Sequence, residues 1–435
     1  MRRGAGIAIG RSLLRGVVAG LAALAAPVAV SAAGIAVVGG TVHTLEGEAP
    51  LQDATVLVRD GRIAAVGAGL DVPAGYERVD ARGKVVTPGL IAAHTQLGLV
   101  EISGEASTVD ARVAIAAVDD LKEAYRLGPA FDVQYGINPQ STLLPVNRAG
   151  GITRAIVAPV PGNDPFSGWG AAIRLTDDDV LLRPRLALYG SIGAGSADFT
   201  GGSRAALIQR LRMGLAAARE FRPSRYEPEE GEYTRRELTA LKEFLDSDRP
   251  LVLAVNRASE IEQSLALARD FGLRLVILGG AEAWRAADAL AADRVPVIVD
   301  VLDNLPLSFD QLGARMDNAA LLHEAGVPVV FTTEDSHNAR LIRQVAGNAV
   351  AEGMPWPAAL AAITRRPAEV FGLQPGTGTL AVGAPADLVI WTGDPLELTT
   401  WAERVMIDGQ WMPMETRQSE LLERYRDLDA PYGYR

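Results

Sequence analysis

The stretch 85–96, VVTPGLIAAHTQ, is an apolar strand that ends in His94-Thr95-Gln96. Side-chain direction along a strand repeats every two residues, so an H-x-H pair at such an end would aim two imidazoles at one metal ion. Here the second position is Gln96, whose amide is a poor zinc ligand. The chain holds four histidines, His43, His94, His323 and His337, and no cysteine. Late in the chain, TTEDSHNAR sets Glu334 and Asp335 just before His337. Two histidines and a carboxylate are enough ligands for one zinc or iron ion with open positions. Without a metal, the same groups would form an acid–base pair with an imidazole as general base.

Elements must carry these residues to one place. The middle of the chain alternates apolar strands, at 152–158, 186–189, 250–255, 273–278, 295–301 and 327–331, with helical segments such as 260–271. Near-continuous apolar strands between helices imply a parallel sheet covered on both faces. The length suits a (β/α)8 barrel, with a doubly wound open sheet as the alternative. Both flanks are β-rich instead. Residues 54–58 meet 62–66 across Asp60-Gly61, and 404–407 turn at Asp408-Gly409, both strong hairpin signals. One small β-sandwich domain built from both chain ends is the economical arrangement. The expected organisation is therefore a signal segment at 1–33, β-domain parts at 34–85 and 374–413, a barrel at 86–373 and a tail helix within 414–435.

The first 33 residues read as an export signal: four arginines, a short apolar core and a small-residue cleavage site. An uncleaved anchor is the other reading, although the apolar run is short for a membrane span. The expected compartment is the periplasm. A net charge of −11 argues against nucleic acid as a partner, since phosphate binding needs a basic face. With no cysteine there are no disulfides, so stability comes from the core.

The β-segment, then VVTPGLIAAHTQ, then 338–373 and the closing GTLAVGAPADLVIWTGDPLEL together resemble the amidohydrolase superfamily, and its imidazolonepropionase-like members in particular. The resemblance covers nearly all of the chain beyond residue 33. It implies a metal-dependent barrel hydrolase acting on carbon–nitrogen bonds of cyclic amides or related groups. The family's ligands are a histidine pair after strand 1, a lysine or glutamate on strand 4, histidines after strands 5 and 6, and an aspartate after strand 8. Carried over, His94 matches the first histidine and Gln96 replaces the second. The strand-4 region 185–196 offers neither lysine nor glutamate. Ala254, with Asn256 nearby, and Gly279 stand where the next histidines belong. Glu334 or Asp335 matches the final acid.

The expected site is thus a reduced one. In a closed barrel strands 1 and 8 are neighbours, which would bring His94 to Asp335 and His337 around one divalent metal, zinc or iron. Glu334, Asp335 and His337 are the candidate catalytic groups, and Gln96, Asn256 and Trp169 the candidate substrate contacts. The contrary reading is that no metal binds and that His94 and His337 are hydrogen-bonded remnants. A catalytically inactive relative is then the alternative, binding a small molecule or pairing with an intact homologue. The expected partners are a small-molecule ligand or substrate and either a second copy of the chain or that homologue. His43 reads as a structural residue of the β-domain and His323 as a surface or interface residue on the helix before strand 8. Asp300 and Asp303 read as loop or capping residues, and 159–170 (PVPGNDPFSGWG) as a glycine-rich loop at the mouth.

Overall fold

The computed structural model describes residues 34–47, 49–112, 127–161, 164–197, 202–227, 232–333 and 336–426. Residues 1–33, where the export signal was expected, and Glu334 and Asp335 lie outside the described residues. The N-terminal strands are β1 (Gly34–Val42), β2 (Leu51–Arg59), β3 (Arg62–Ala68), β4 (Tyr76–Asp80) and β5 (Val85–Pro88). Asp60 and Gly61 both take positive φ in the β2–β3 turn, as that hairpin demands. The C-terminal strands β14 (Leu388–Trp391), β15 (Ala402–Ile407) and β16 (Gln410–Trp411) join the same eight-stranded sheet, because β14 pairs antiparallel with β5. Val37, Val56, Ile63, Leu388 and Met406 pack together as its own core. Both chain ends therefore build this β-domain.

The second sheet holds β6 (Leu90–Thr95), β7 (Ile152–Val157), β8 (Phe166–Arg174), β9 (Leu181–Ser191), β10 (Leu251–Val255), β11 (Leu275–Gly279), β12 (Val297–Val299) and β13 (Val329–Phe331), in sequence order. It is a nearly closed barrel. The hydroxyl of Thr332, just past β13, donates to the carbonyl of His94 on β6 at 2.8 Å, joining the two ends. Period-two alternation sorts the side chains. Ala187, Tyr189, Val252, Val276, Leu278, Ile298 and Val330 share an inner cluster, while Leu188, Leu251, Leu253, Ile277 and Val297 belong to the cluster shared with the helices.

Two features differ from the expectation. First, 85–96 is two strands, not one. The chain passes from one sheet to the other at Gly89, where a Cβ would meet the Thr153 hydroxyl at 2.2 Å. Second, the segment read as a glycine-rich loop supplies β8, which runs antiparallel to both β7 and β9. Seven barrel strands are parallel and one is not. Glycines read as loop on composition, yet in a strand they mark close approach. At Gly170 a Cβ would lie 2.5 Å from the Tyr189 ring, so the missing side chain makes room for that tyrosine.

The β-domain is bolted to the barrel by charge. Arg154 on β7 is buried and pairs with Asp387 at 2.5 Å and with Asp408 at 2.7 Å. Asp408 also binds Arg174 of β8 at 3.0 Å.

Candidate functional site

A cavity of about 190 Å³ opens at the C-terminal ends of β6, β9, β10 and β11. His94, Tyr189, Ser191, Ala254, Asn256 and Gly279 all line it, with Pro159, Pro161 and Ser167 beside them. This is the end at which barrels of this kind carry their sites. His94 reaches it because the β6–β7 ladder slips between Ala92 and Thr95. Tyr189 and Ser191 reach it by alternation along β9.

The centre of the pocket is a histidine facing a tyrosine. The two ring centroids are 5.7 Å apart with planes tilted by 36°. His94 Nδ1 and the Tyr189 hydroxyl are both buried, and neither has a hydrogen-bond partner. Burial pushes the His94 pKa down to about 4, so at neutral pH the ring is uncharged. Burial also raises the tyrosine pKa, so the phenol keeps its proton. An orphaned buried polar atom ordinarily costs about 1–3 kcal/mol, and two of them beside one cavity mark a place for a ligand.

Gly279 and Asn256 complete the wall. Gly279 has φ +88°, a conformation that residues with a Cβ rarely adopt. The Asn256 amide oxygen accepts the N–H of Ala281 at 3.2 Å, which ties the end of β10 to the turn after β11.

Among the described residues, those lining this cavity do not supply the ligand set that the resemblance implies. Around His94 stand a phenol, a serine hydroxyl, an amide, a methyl group and a glycine. Zinc is held by imidazole, thiolate or carboxylate, and only His94 is one of these. Among the described residues no three His, Cys, Asp or Glu side chains come together as a metal site.

Of the residues singled out in the sequence, His94 and Asn256 are brought together. Gln96 is half-buried but does not line the cavity. Its carbonyl accepts the N–H groups of Leu99 and Val100, turning the chain away. Trp169 does not line the mouth either. It is fully buried on the outer side of β8, edge-on to Phe244 with ring centroids 6.1 Å apart, under the guanidiniums of Arg185 and Arg249. An odd step along the strand turned it towards the helices. His337 is exposed in a turn, its carbonyl accepting from Arg340, and is not among the cavity's lining residues. Its expected partners Glu334 and Asp335 lie outside the described residues.

His43 packs on Trp356 with ring centroids 4.4 Å apart. Asp300 accepts the N–H of Leu302 at 2.9 Å. Sequence reasoning missed Tyr189. The resemblance points to lysine or glutamate within 185–196, whereas the signal for Tyr189 is a lone aromatic ending an apolar strand.

The family model described as the amidohydrolase family matches residues 267–412. Among similar proteins, an imidazolonepropionase from a Polaromonas species is 26% identical over 383 residues, spanning 80% of this chain and 85% of its own length. An imidazolonepropionase from Cupriavidus taiwanensis is 25% identical over 391 residues, spanning 81% and 88%. Among solved structures, an amidohydrolase from Thermotoga maritima superposes with a TM-score of 0.76 at 25% identity, covering 87% of this chain and 99% of that one.

Proposed function

We propose, from a chain that belongs to the amidohydrolase superfamily and is imidazolonepropionase-like over most of its length, that this is an exported protein whose barrel mouth takes a small molecule with an amide-type carbon–nitrogen bond. The family is one of hydrolases; here Gln96, Ala254 and Gly279 stand where three of the two-metal centre's histidines belong. The observation that carries the reading is the pair of unpartnered polar atoms, His94 Nδ1 and the Tyr189 hydroxyl, beside an otherwise finished pocket. An uncharged imidazole and a protonated phenol supply one acceptor and one donor, which suits a neutral amide.

Family-type turnover without a bound metal meets a large energetic barrier. A metal lowers the pKa of bound water from 15.7 to about 7, which is worth about 12 kcal/mol towards hydroxide at neutral pH. Among the described residues no three His, Cys, Asp or Glu side chains come together to hold that ion. A reduced single-metal hydrolase is the second reading. It is favoured by the retention of His94 at the end of the first barrel strand, and it would draw on Glu334 or Asp335 and His337.

One experiment separates the two. The purified protein is dialysed with and without zinc or iron and incubated with hydantoin or 2-imidazolidinone. Thermal stabilisation by the cyclic amide, with no ring-opened product under either condition, supports the binding reading. Metal-dependent ring opening that is lost in His94→Ala overturns it in favour of the hydrolase. Absence of stabilisation by any cyclic amide sinks the ligand class. Export is tested separately, by the N-terminal sequence of the protein recovered from the periplasm.

A further inference from the structure

The other end of the barrel carries a larger cavity. It holds about 540 Å³ and lies under the starts of β10, β11, β12 and β13, where Pro250, Arg274, Val295 and Pro328 line it. The mouth lies at the opposite, C-terminal ends of these strands, so the two cavities are separate. The size falls within the roughly 300–1,000 Å³ of small-molecule sites.

Its charge is the reverse of the chain's. Four arginines, Arg269, Arg274, Arg294 and Arg366, line it against two acids, Asp293 and Glu369, in a protein of net charge −11. Both acids are already engaged. Asp293 pairs with Arg269 at 2.7 Å, and Glu369 with Arg366 at 2.8 Å and Arg365 at 3.3 Å. Arg274 and Arg294 are therefore in excess. Arg274 donates to the main-chain carbonyls of Asp248 at 2.7 Å and Val370 at 3.2 Å, which fixes the guanidinium without neutralising it.

Arg294 stands where the backbone favours glycine. The helix Ala287–Ala292 turns out through Arg294 at φ +53°, and the Val295 N–H donates back to the Leu290 carbonyl at 2.9 Å. The α-helices on either side of it in the chain, Ala258–Phe271 and Asn318–Glu324, end in the same hydrogen-bonded turn, with Gly272 and Gly326 as the left-handed residue. A Cβ is disfavoured in that conformation, so the arginine costs stability and sets a cation in the cavity wall.

We propose that this cavity binds a small organic phosphate monoester. Arg274 and Arg294 hold the dianion, for which the planar guanidinium offers paired N–H donors. Leu273, Pro296 and Pro328, which line the cavity between the charges, take the apolar body. The proposal is independent of what the mouth binds.

The test is calorimetric titration of the full chain with 1-naphthyl phosphate, with inorganic phosphate and 1-naphthol as its two halves. The wild type is expected to bind one molecule of the ester, about tenfold or more tighter than either half. Arg274→Gln should weaken the ester about tenfold. Arg294→Gly should weaken it by a similar factor and raise the melting temperature of the ligand-free protein, because the left-handed turn then carries no side chain. Absence of binding by the wild type overturns the proposal, as does equal affinity for inorganic phosphate or for 1-naphthol. So does an Arg294→Gly that melts lower while binding as the wild type does, which would make the arginine structural. Binding abolished by His94→Ala would move the ester to the mouth and overturn it too.

Discussion

The amide oxygen of Asn256 stands 2.7 Å from the point where a Cβ on Gly279 would sit. The space into which a histidine after the sixth barrel strand would start to grow is occupied, and the backbone beneath it is at φ +88°. Asn256, in hydrogen bond to Ala281, fills the space that a side chain at position 279 would enter.

Introducing the histidines that the resemblance implies should accordingly fail at this position. Gly279→His must adopt a positive φ and displace Asn256, which costs about 2–4 kcal/mol. The triple variant Gln96→His/Ala254→His/Gly279→His is expected to bind no stoichiometric zinc in equilibrium dialysis, and to melt below the wild type. A stable, zinc-loaded triple variant would show that the site had only been emptied.

Tyr189→Phe separates stability from binding. The hydroxyl is buried without a partner, so its removal should leave stability unchanged or raise it by about 1 kcal/mol. The same change should weaken the cyclic amide, because the donor is gone. Denaturant melts and calorimetric titration read the two quantities separately. A destabilised Tyr189→Phe with unchanged affinity would assign the hydroxyl a structural role.

Much of this architecture is legible in the sequence, and the exceptions have physical causes. The Asp-Gly turns, the parallel strands and the closing of the β-domain by both ends follow from local rules of turn chemistry and alternation. The antiparallel β8 was hidden because Gly168 and Gly170 look like loop residues. Their purpose is to admit Phe131 and the ring of Tyr189, partners distant in sequence. The same strand misled the reading of Trp169, whose facing depends on a register that composition does not reveal. His94 was found from one residue and its neighbour but one. Tyr189 was not, because its importance lies in what it fails to bond.

The join between barrel and β-domain makes a third prediction. Asp387→Ala leaves Arg154 buried with one of its two partners gone. Breaking a buried pair on one side destabilises by about 3–5 kcal/mol. A drop in the denaturation midpoint of that order is expected. A shift below about 1 kcal/mol, the range of exposed pairs, would mean that water reaches Arg154 in solution.

The last prediction concerns acid. His94 has a folded pKa of about 4, set by burial, against about 6.5 for a free imidazole. Above pH 6.5 both the folded and the unfolded chain hold the ring neutral, and its contribution to stability is complete. As the pH falls from 6.5, the unfolded chain takes the proton first, so stability declines. The decline ends near pH 4, where the folded ring is protonated too. Over that window the loss amounts to about 2–3 kcal/mol. Carboxylates titrate in the same range, so the wild-type curve alone is ambiguous. His94→Gln keeps a polar side chain but removes the titration. Urea midpoints of both proteins between pH 7 and pH 4 should therefore diverge, with the wild type falling more steeply. Parallel curves would mean that the imidazole is already hydrated in the folded protein, and that the pocket around it is wetter than its burial implies.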